Sequence, residues 1–128
     1  MKKINKKGFT LIELLAVVVI LGVLAAIGMP LFSTALEKSK TADAREGLNH
    51  IYRAEIAYYG FRGGVYTNSM DELGPDVVLT KRYWDFSINL SPSADTFTAI
   101  ATRKSGSHSG QTITLDEKTN LSGNWEFL

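Results

Sequence analysis

From Leu14 to Phe32 the chain reads LLAVVVILGVLAAIGMPLF, nineteen residues without a charge. At about 1.5 Å of rise per residue, a helix of this length crosses a hydrocarbon layer of roughly 30 Å. Its length and composition predict a membrane span rather than a core helix of a small domain. Of the 128 residues, four of the fourteen basic ones (Lys2, Lys3, Lys6 and Lys7) stand in the first seven positions, with no acid among them. The positive-inside rule keeps such a tip in the cytoplasm and sends the C-terminal part outward. Without residues 1–8 the balance is ten basic against thirteen acidic, a net of −3, so the net charge of +1 hides a basic tip on a mildly acidic body. Nothing in that distribution resembles the broad basic surface of a nucleic-acid binder. With no cysteine, disulfides, thiolate metal sites and cysteine nucleophiles are all excluded.

Two simpler accounts compete for the N-terminus. A cleaved signal peptide carries an apolar region of about 7–15 residues ending in small residues; this run is longer, and Leu24-Ala25-Ala26 matches that ending poorly. A one-pass anchor fits the hydropathy but leaves Glu13 unexplained. The apolar stretch starts at Gly8-Phe9-Thr10-Leu11-Ile12, so Glu13 interrupts it. A charge at membrane depth costs a few kcal/mol and calls for a partner. Lys6 and Lys7 reach it only while the leader is attached; a cut after Gly8 would leave the new α-amino group as the nearby cation.

Lys6-Lys7-Gly8-Phe9-Thr10-Leu11-Ile12-Glu13 resembles the cleavage and methylation motif of type IV prepilins and type II secretion pseudopilins, closely over residues 6–36 and much less beyond. The resemblance implies a cut between Gly8 and Phe9 by a prepilin peptidase on the cytoplasmic side, followed by N-methylation of Phe9. It places Glu13 at the family's glutamate, where it would face the amine of a neighbouring copy and set the subunit register. Gly22, Gly28 and Pro30 lie in the apolar helix, Gly22 and Pro30 where the family commonly has a glycine and a proline. Pro30 removes a donor and crowds the carbonyl of Ala26, and the family's behaviour implies that this stretch lends the helix flexibility. The alternative is that these residues only kink or tightly pack a membrane helix.

Past the span, Ala44, Leu48, Ile51, Tyr52 and Tyr59 recur at helical spacing, with Ile56 near the edge. One helix from about Phe9 to Tyr59 is expected, with this stripe facing a core and Gly60 at its C-terminus. Glu55 falls inside the stripe and has no account from sequence. Residues 61–82 read as a loop in which Ser69-x-x-Glu72 suggests a capped turn of helix at Met70–Leu73. Trp84, Phe86, Ile88 and Leu90 alternate with Asp85, Ser87 and Asn89; Thr96–Thr102 and Thr112–Leu115 follow as strands, and Asn124–Leu128 as a fourth. The expected fold is α+β: a long N-terminal helix packed against a small C-terminal antiparallel sheet, with Trp84 and Trp125 as the largest core residues. The expected divisions are a leader at 1–8, a transmembrane or filament-core half-helix at 9–32, and a head at 33–128 made of helix 33–60, loop 61–82 and sheet 83–128.

No catalytic set is found. His50 and His108 have no partners at zinc-like spacing, and there is no phosphate-binding glycine motif. Ser105–Gly110 reads as an exposed hairpin tip. Major pseudopilins carry a C-terminal calcium loop rich in aspartate and glycine; Asp116–Gly123 offers only Asp116 and Glu117 as acids, a poor match for a cation that wants six to eight oxygens. No cofactor is expected. The resemblance implies a subunit that enters the inner (cytoplasmic) membrane with its head outside, meets the prepilin peptidase and an assembly platform, and polymerises with its own copies. The filament is then a cell-surface pilus or, alternatively, the periplasmic pseudopilus of type II secretion. The reading of another class is a single-pass membrane-anchored binding protein.

Overall fold

A computed structural model describes residues 3, 6–75, 77, 79 and 81–128. Of the expected leader, Met1, Lys2, Ile4 and Asn5 lie outside the described residues, as do Asp76, Val78 and Thr80 of the expected loop. The chain divides into two compact units, Met1–Leu36 and Glu37–Leu128.

A single helix, α1 (Leu11–Phe61), supplies residues to both. Within the first unit it has no polar side: the fifteen Leu, Ile, Val, Met and Phe side chains between Leu11 and Phe32 are all exposed, from 46% at Val17 to 88% at Leu11. The helix passes through Pro30 without interruption. Ser33 Oγ and Thr34 Oγ1 both donate to the Pro30 carbonyl, at 2.9 and 3.1 Å.

In the second unit, one face of α1 is buried at Thr41, Ala44, Gly47, Leu48, Ile51 and Glu55. These three- and four-residue steps keep the side chains on one stripe. The helix ends at Phe61, two residues beyond the expected Tyr59. Gly63 takes the left-handed conformation (φ 77°), and the Gly64 amide donates back to the Tyr59 carbonyl at 3.1 Å. That six-to-one bond closes a Schellman motif, which needs a residue free of the Cβ penalty at Gly63 rather than Gly60.

Four strands form an antiparallel meander in the order β1 (Trp84–Leu90), β2 (Phe97–Arg103), β3 (Thr112–Asp116) and β4 (Leu121–Gly123). Registry pairs Phe86 with Ala101 and Ala101 with Ile113, so one face of the sheet carries Trp84, Ile88, Phe97, Ala99, Ala101, Ile113 and Leu115 into the core. The fourth strand lies at Leu121–Gly123 and not at Asn124–Leu128. Trp125 leaves the ladder because its indole Nε1 donates to Thr41 Oγ1 at 2.7 Å, while its amide donates to the Thr112 carbonyl. Alternating Trp125 and Phe127 imitates a strand, but both rings turn inward against each other and against His108.

The two tryptophans join sheet to helix. Trp84 Nε1 donates to the Lys40 carbonyl at 2.8 Å, one residue from the Trp125 contact, and the two indoles meet edge to face with centroids 4.9 Å apart. Beside them Arg103, the last residue of β2, is buried; its guanidinium donates to the Tyr83 carbonyl at 3.2 Å and lies 3.4 Å from Glu37 Oε2. Gly47 sits under Phe86: a Cβ there would overlap the ring.

Candidate processing and assembly site

The Gly8–Phe9 bond lies outside the helix, in an exposed segment that continues to Thr10. Phe9 is 85% exposed and nothing stands within 4 Å of where a Cβ on Gly8 would be. α1 begins two residues beyond Phe9, and a capping box sets that start. The Glu13 amide donates to Thr10 Oγ1 (3.3 Å), while Glu13 Oε2 accepts from the Thr10 amide (2.8 Å) and from its hydroxyl (3.0 Å). Thr10 is the N-cap and Glu13 the third helical residue, the spacing at which the two satisfy each other's unpaired groups. The same T-x-x-E pattern was readable in the sequence and marks the helix start better than the apolar run does. A cut before Phe9 would leave every member of this cap in place.

Glu13 thus has a local role independent of any partner, and both of its cap bonds fall on Oε2. Gly22 and Gly28 lie in the exposed apolar part of α1 with open space around them, so their lack of side chain answers no contact within the chain. Small residues on an apolar helix let another helix approach closely.

Asp116 and Glu117 open the β3–β4 turn. Asp116 Oδ1 accepts the amides of Lys118 (2.9 Å) and Asn120 (2.7 Å), and Oδ2 accepts the Asn120 side-chain amide (2.8 Å). The Asn120 bonds, from side chain and backbone, hold its carboxyl below the usual aspartate range. Both oxygens serve the turn itself, and Glu117 takes no part in that set. Among the described residues no group of three or more His, Cys, Asp or Glu comes together. His50 lies 3.8 Å from Glu46 on the exposed side of α1, and His108 lies 3.4 Å from Glu126 with its ring against Trp125 and Phe127.

Sequence reasoning left Glu55 unassigned. Its side chain is fully buried, Oε2 accepts the Thr67 amide at 3.1 Å, and Oε1 has no hydrogen-bond partner. Burial, partly offset by the Thr67 bond and reinforced by the nearby Glu72 carboxylate, pushes its pKa up to about 7. Glu72 in turn accepts from Thr67 Oγ1 (2.5 Å) and the Tyr58 hydroxyl (3.0 Å). The expected cap at Ser69 is not formed: Thr67 takes Glu72, the Ser69 amide donates to Thr67 Oγ1, and residues 70–73 are turns rather than helix.

Residues 3–29 match the family model described as the prokaryotic N-terminal methylation motif. The chain is 38% identical over 70 residues to the type IV major pilin protein PilA of Myxococcus xanthus, a stretch covering 55% of this chain and 31% of that protein. It is 38% identical over 63 residues to the fimbrial protein EcpC of Eikenella corrodens, covering 49% of this chain and 41% of EcpC. With fimbrial protein Q of Moraxella bovis it shares 53% identity over 36 residues, covering 28% of this chain and 23% of that protein. The chain thus spans less than half the length of these curated relatives. A solved type IV pilin from Shewanella oneidensis superposes with a TM-score of 0.51 over 66% of this chain and 89% of that one, at 19% identity, a likeness of fold alone. In its N-terminal methylation motif, in the stretches it shares with these pilins and in its helix-and-meander fold, the chain is similar to type IV pilins.

Proposed function

We propose that the chain is a structural filament subunit, a type IV pilin made as a precursor. A prepilin peptidase cuts it between Gly8 and Phe9 and methylates Phe9. The observation that carries the reading is the apolar helix that follows the motif, exposed on every side. A helix hydrophobic all round is stable only when something covers it. Lipid of the inner membrane covers it first, and the same helices of other copies cover it in the filament. Copies joined head to tail without closing generate an open fibre, and an assembly platform in the membrane would load them.

Glu13 supports register in this account. Its cap bonds use Oε2, which leaves Oε1 to face the Phe9 amine of a neighbouring copy. In a low dielectric that pair attracts strongly, and either charge alone is penalised. Gly22, Gly28 and Pro30 give the filament core its give, since proline removes one helical hydrogen bond.

A second reading, the major pseudopilin of a type II secretion system, uses the same helix. The absence of cysteine favours it, because many type IV pilins close the C-terminal region with a disulfide. Shearing cells and imaging the released material with antibody to the head tests both. Labelled surface filaments support the pilus. A processed chain confined to the envelope supports the pseudopilus, and an uncut chain in the membrane fraction leaves a one-pass anchor. A Gly8→Glu variant, blocked at the cut, is expected to give no filaments.

A further inference from the structure

Thr67 holds two carboxylates at once: its amide is on Glu55, and its hydroxyl is on Glu72. Glu55 belongs to α1 and Glu72 to the loop, so this residue fastens the 62–75 segment to the helix. The Tyr58 hydroxyl, again from α1, adds a second bond to Glu72. Of these groups Glu55 alone is wholly buried, and its Oε1 has no partner. A buried carboxylate with an unmatched oxygen is costly, whereas the neutral acid carries no charge to desolvate.

Among the described residues, no cation stands with the groups that act on Glu55. Glu72 of the loop acts on Glu55, and Glu55 acts on Tyr66 of the loop; Tyr52 and Tyr59 of α1 and Glu117 of the β3–β4 turn also act on Tyr66, while Tyr58 of α1 and Arg62, just past its end, act on Glu72. Arg62 is the one cation of that set, and it lies over the Tyr58 ring, 5.7 Å from its centroid, where it acts on Tyr58 and Glu72. Ionised Glu55 would therefore meet burial and the Glu72 carboxylate with one backbone amide to balance them.

We propose that Glu55, Thr67 and Glu72 form a proton-operated latch, which holds the 62–75 loop on α1 while Glu55 is protonated and releases it when Glu55 ionises. The loop matters to the surface: Glu72 and Leu73 form one wall of a groove of about 510 Å³ whose other wall is His50, Arg53, Tyr58 and Phe61 of α1. The latch fixes that wall, so the head presents one groove shape in acid and another in alkali. Nothing in this depends on the chain being a pilin.

The sign follows from linkage. A carboxyl whose pKa is higher in the closed state, about 7 against the ordinary 4.5, stabilises closure fully below pH 4.5 and loses that stabilisation as pH rises to 7. With these two values the opening constant rises about seventyfold between pH 5 and pH 8. The test is amide hydrogen exchange of peptides from residues 62–75 in the full chain in detergent micelles, at both pH values and corrected for intrinsic rates. The latch predicts a rise of that order in the wild type and a pH-independent opening in Glu55→Gln. Equal opening at both pH values in the wild type, or a pH dependence that survives in Glu55→Gln, overturns it. If the variant does not fold, carbon-13 titration of the Glu55 carboxyl in the wild type decides alone: a midpoint near 7 sustains the latch, and one near 4.5 refutes it.

Discussion

Gly47 and Thr41 are the residues whose importance is least visible in the sequence. An isolated glycine in a helix costs about 1 kcal/mol against alanine, and here the ring of Phe86 fills the space a side chain would need. Gly47→Ala should therefore lower stability by about 1–2 kcal/mol despite its better helix propensity, because overpacking outweighs the propensity gain. Denaturant titration of the full chain in micelles measures this, and pairing the change with Phe86→Leu should recover much of the loss. Thr41 both donates to the Glu37 carbonyl and accepts from Trp125. Thr41→Val keeps the shape but strands the indole N–H in the core, at a cost of about 1–3 kcal/mol on the same titration. Neither role was legible, since each depends on a partner 39 or more positions away. Glu55 was conspicuous as an acid in an apolar stripe, yet its tether to Thr67 needed the loop's course. Burial raises its pKa, so its contribution to global stability is whole below pH 4.5 and about 3 kcal/mol smaller above pH 7. Melting temperature should fall across that window, and fall less in Glu55→Gln.

At the level of elements, strong periodic signals were read correctly and ends were not. The nineteen uncharged residues and the Ala44–Leu48–Ile51 stripe announced α1, and the alternation from Trp84 to Leu90 announced β1 with its true limits. The helix start was misplaced by two residues because the apolar run drew attention from the Thr10–Glu13 cap. Its end was misplaced because two glycine sites competed, and only the backbone conformation chooses Gly63. The fourth strand was displaced because two inward aromatics, Trp125 and Phe127, look like alternation. Pro30 is the proline inside α1. Pro30→Ala restores a donor to the Ala26 carbonyl and should stabilise that turn by up to about 3 kcal/mol. In micelles this reads as amide exchange at residues 27–31 slowed at least tenfold, and no change would mean the proline costs the helix nothing there.

For the molecule as a whole, the N-terminal motif could be read without a structure because it is a contiguous chemical address, whereas the head's surface, with its groove and its loop latch, exists only once the chain is folded. The resemblance to prepilins is legible in residues 6–36; the partners of the head are not. We propose that this chain is a precursor whose exposed Gly8–Phe9 bond is cut and whose freed helix then assembles. Intact-mass measurement with N-terminal sequencing of the chain from its native host tests that most directly. Such a precursor yields a polypeptide beginning at N-methylated Phe9, recovered in filaments. A chain beginning at Met1 and left in the membrane would contradict it.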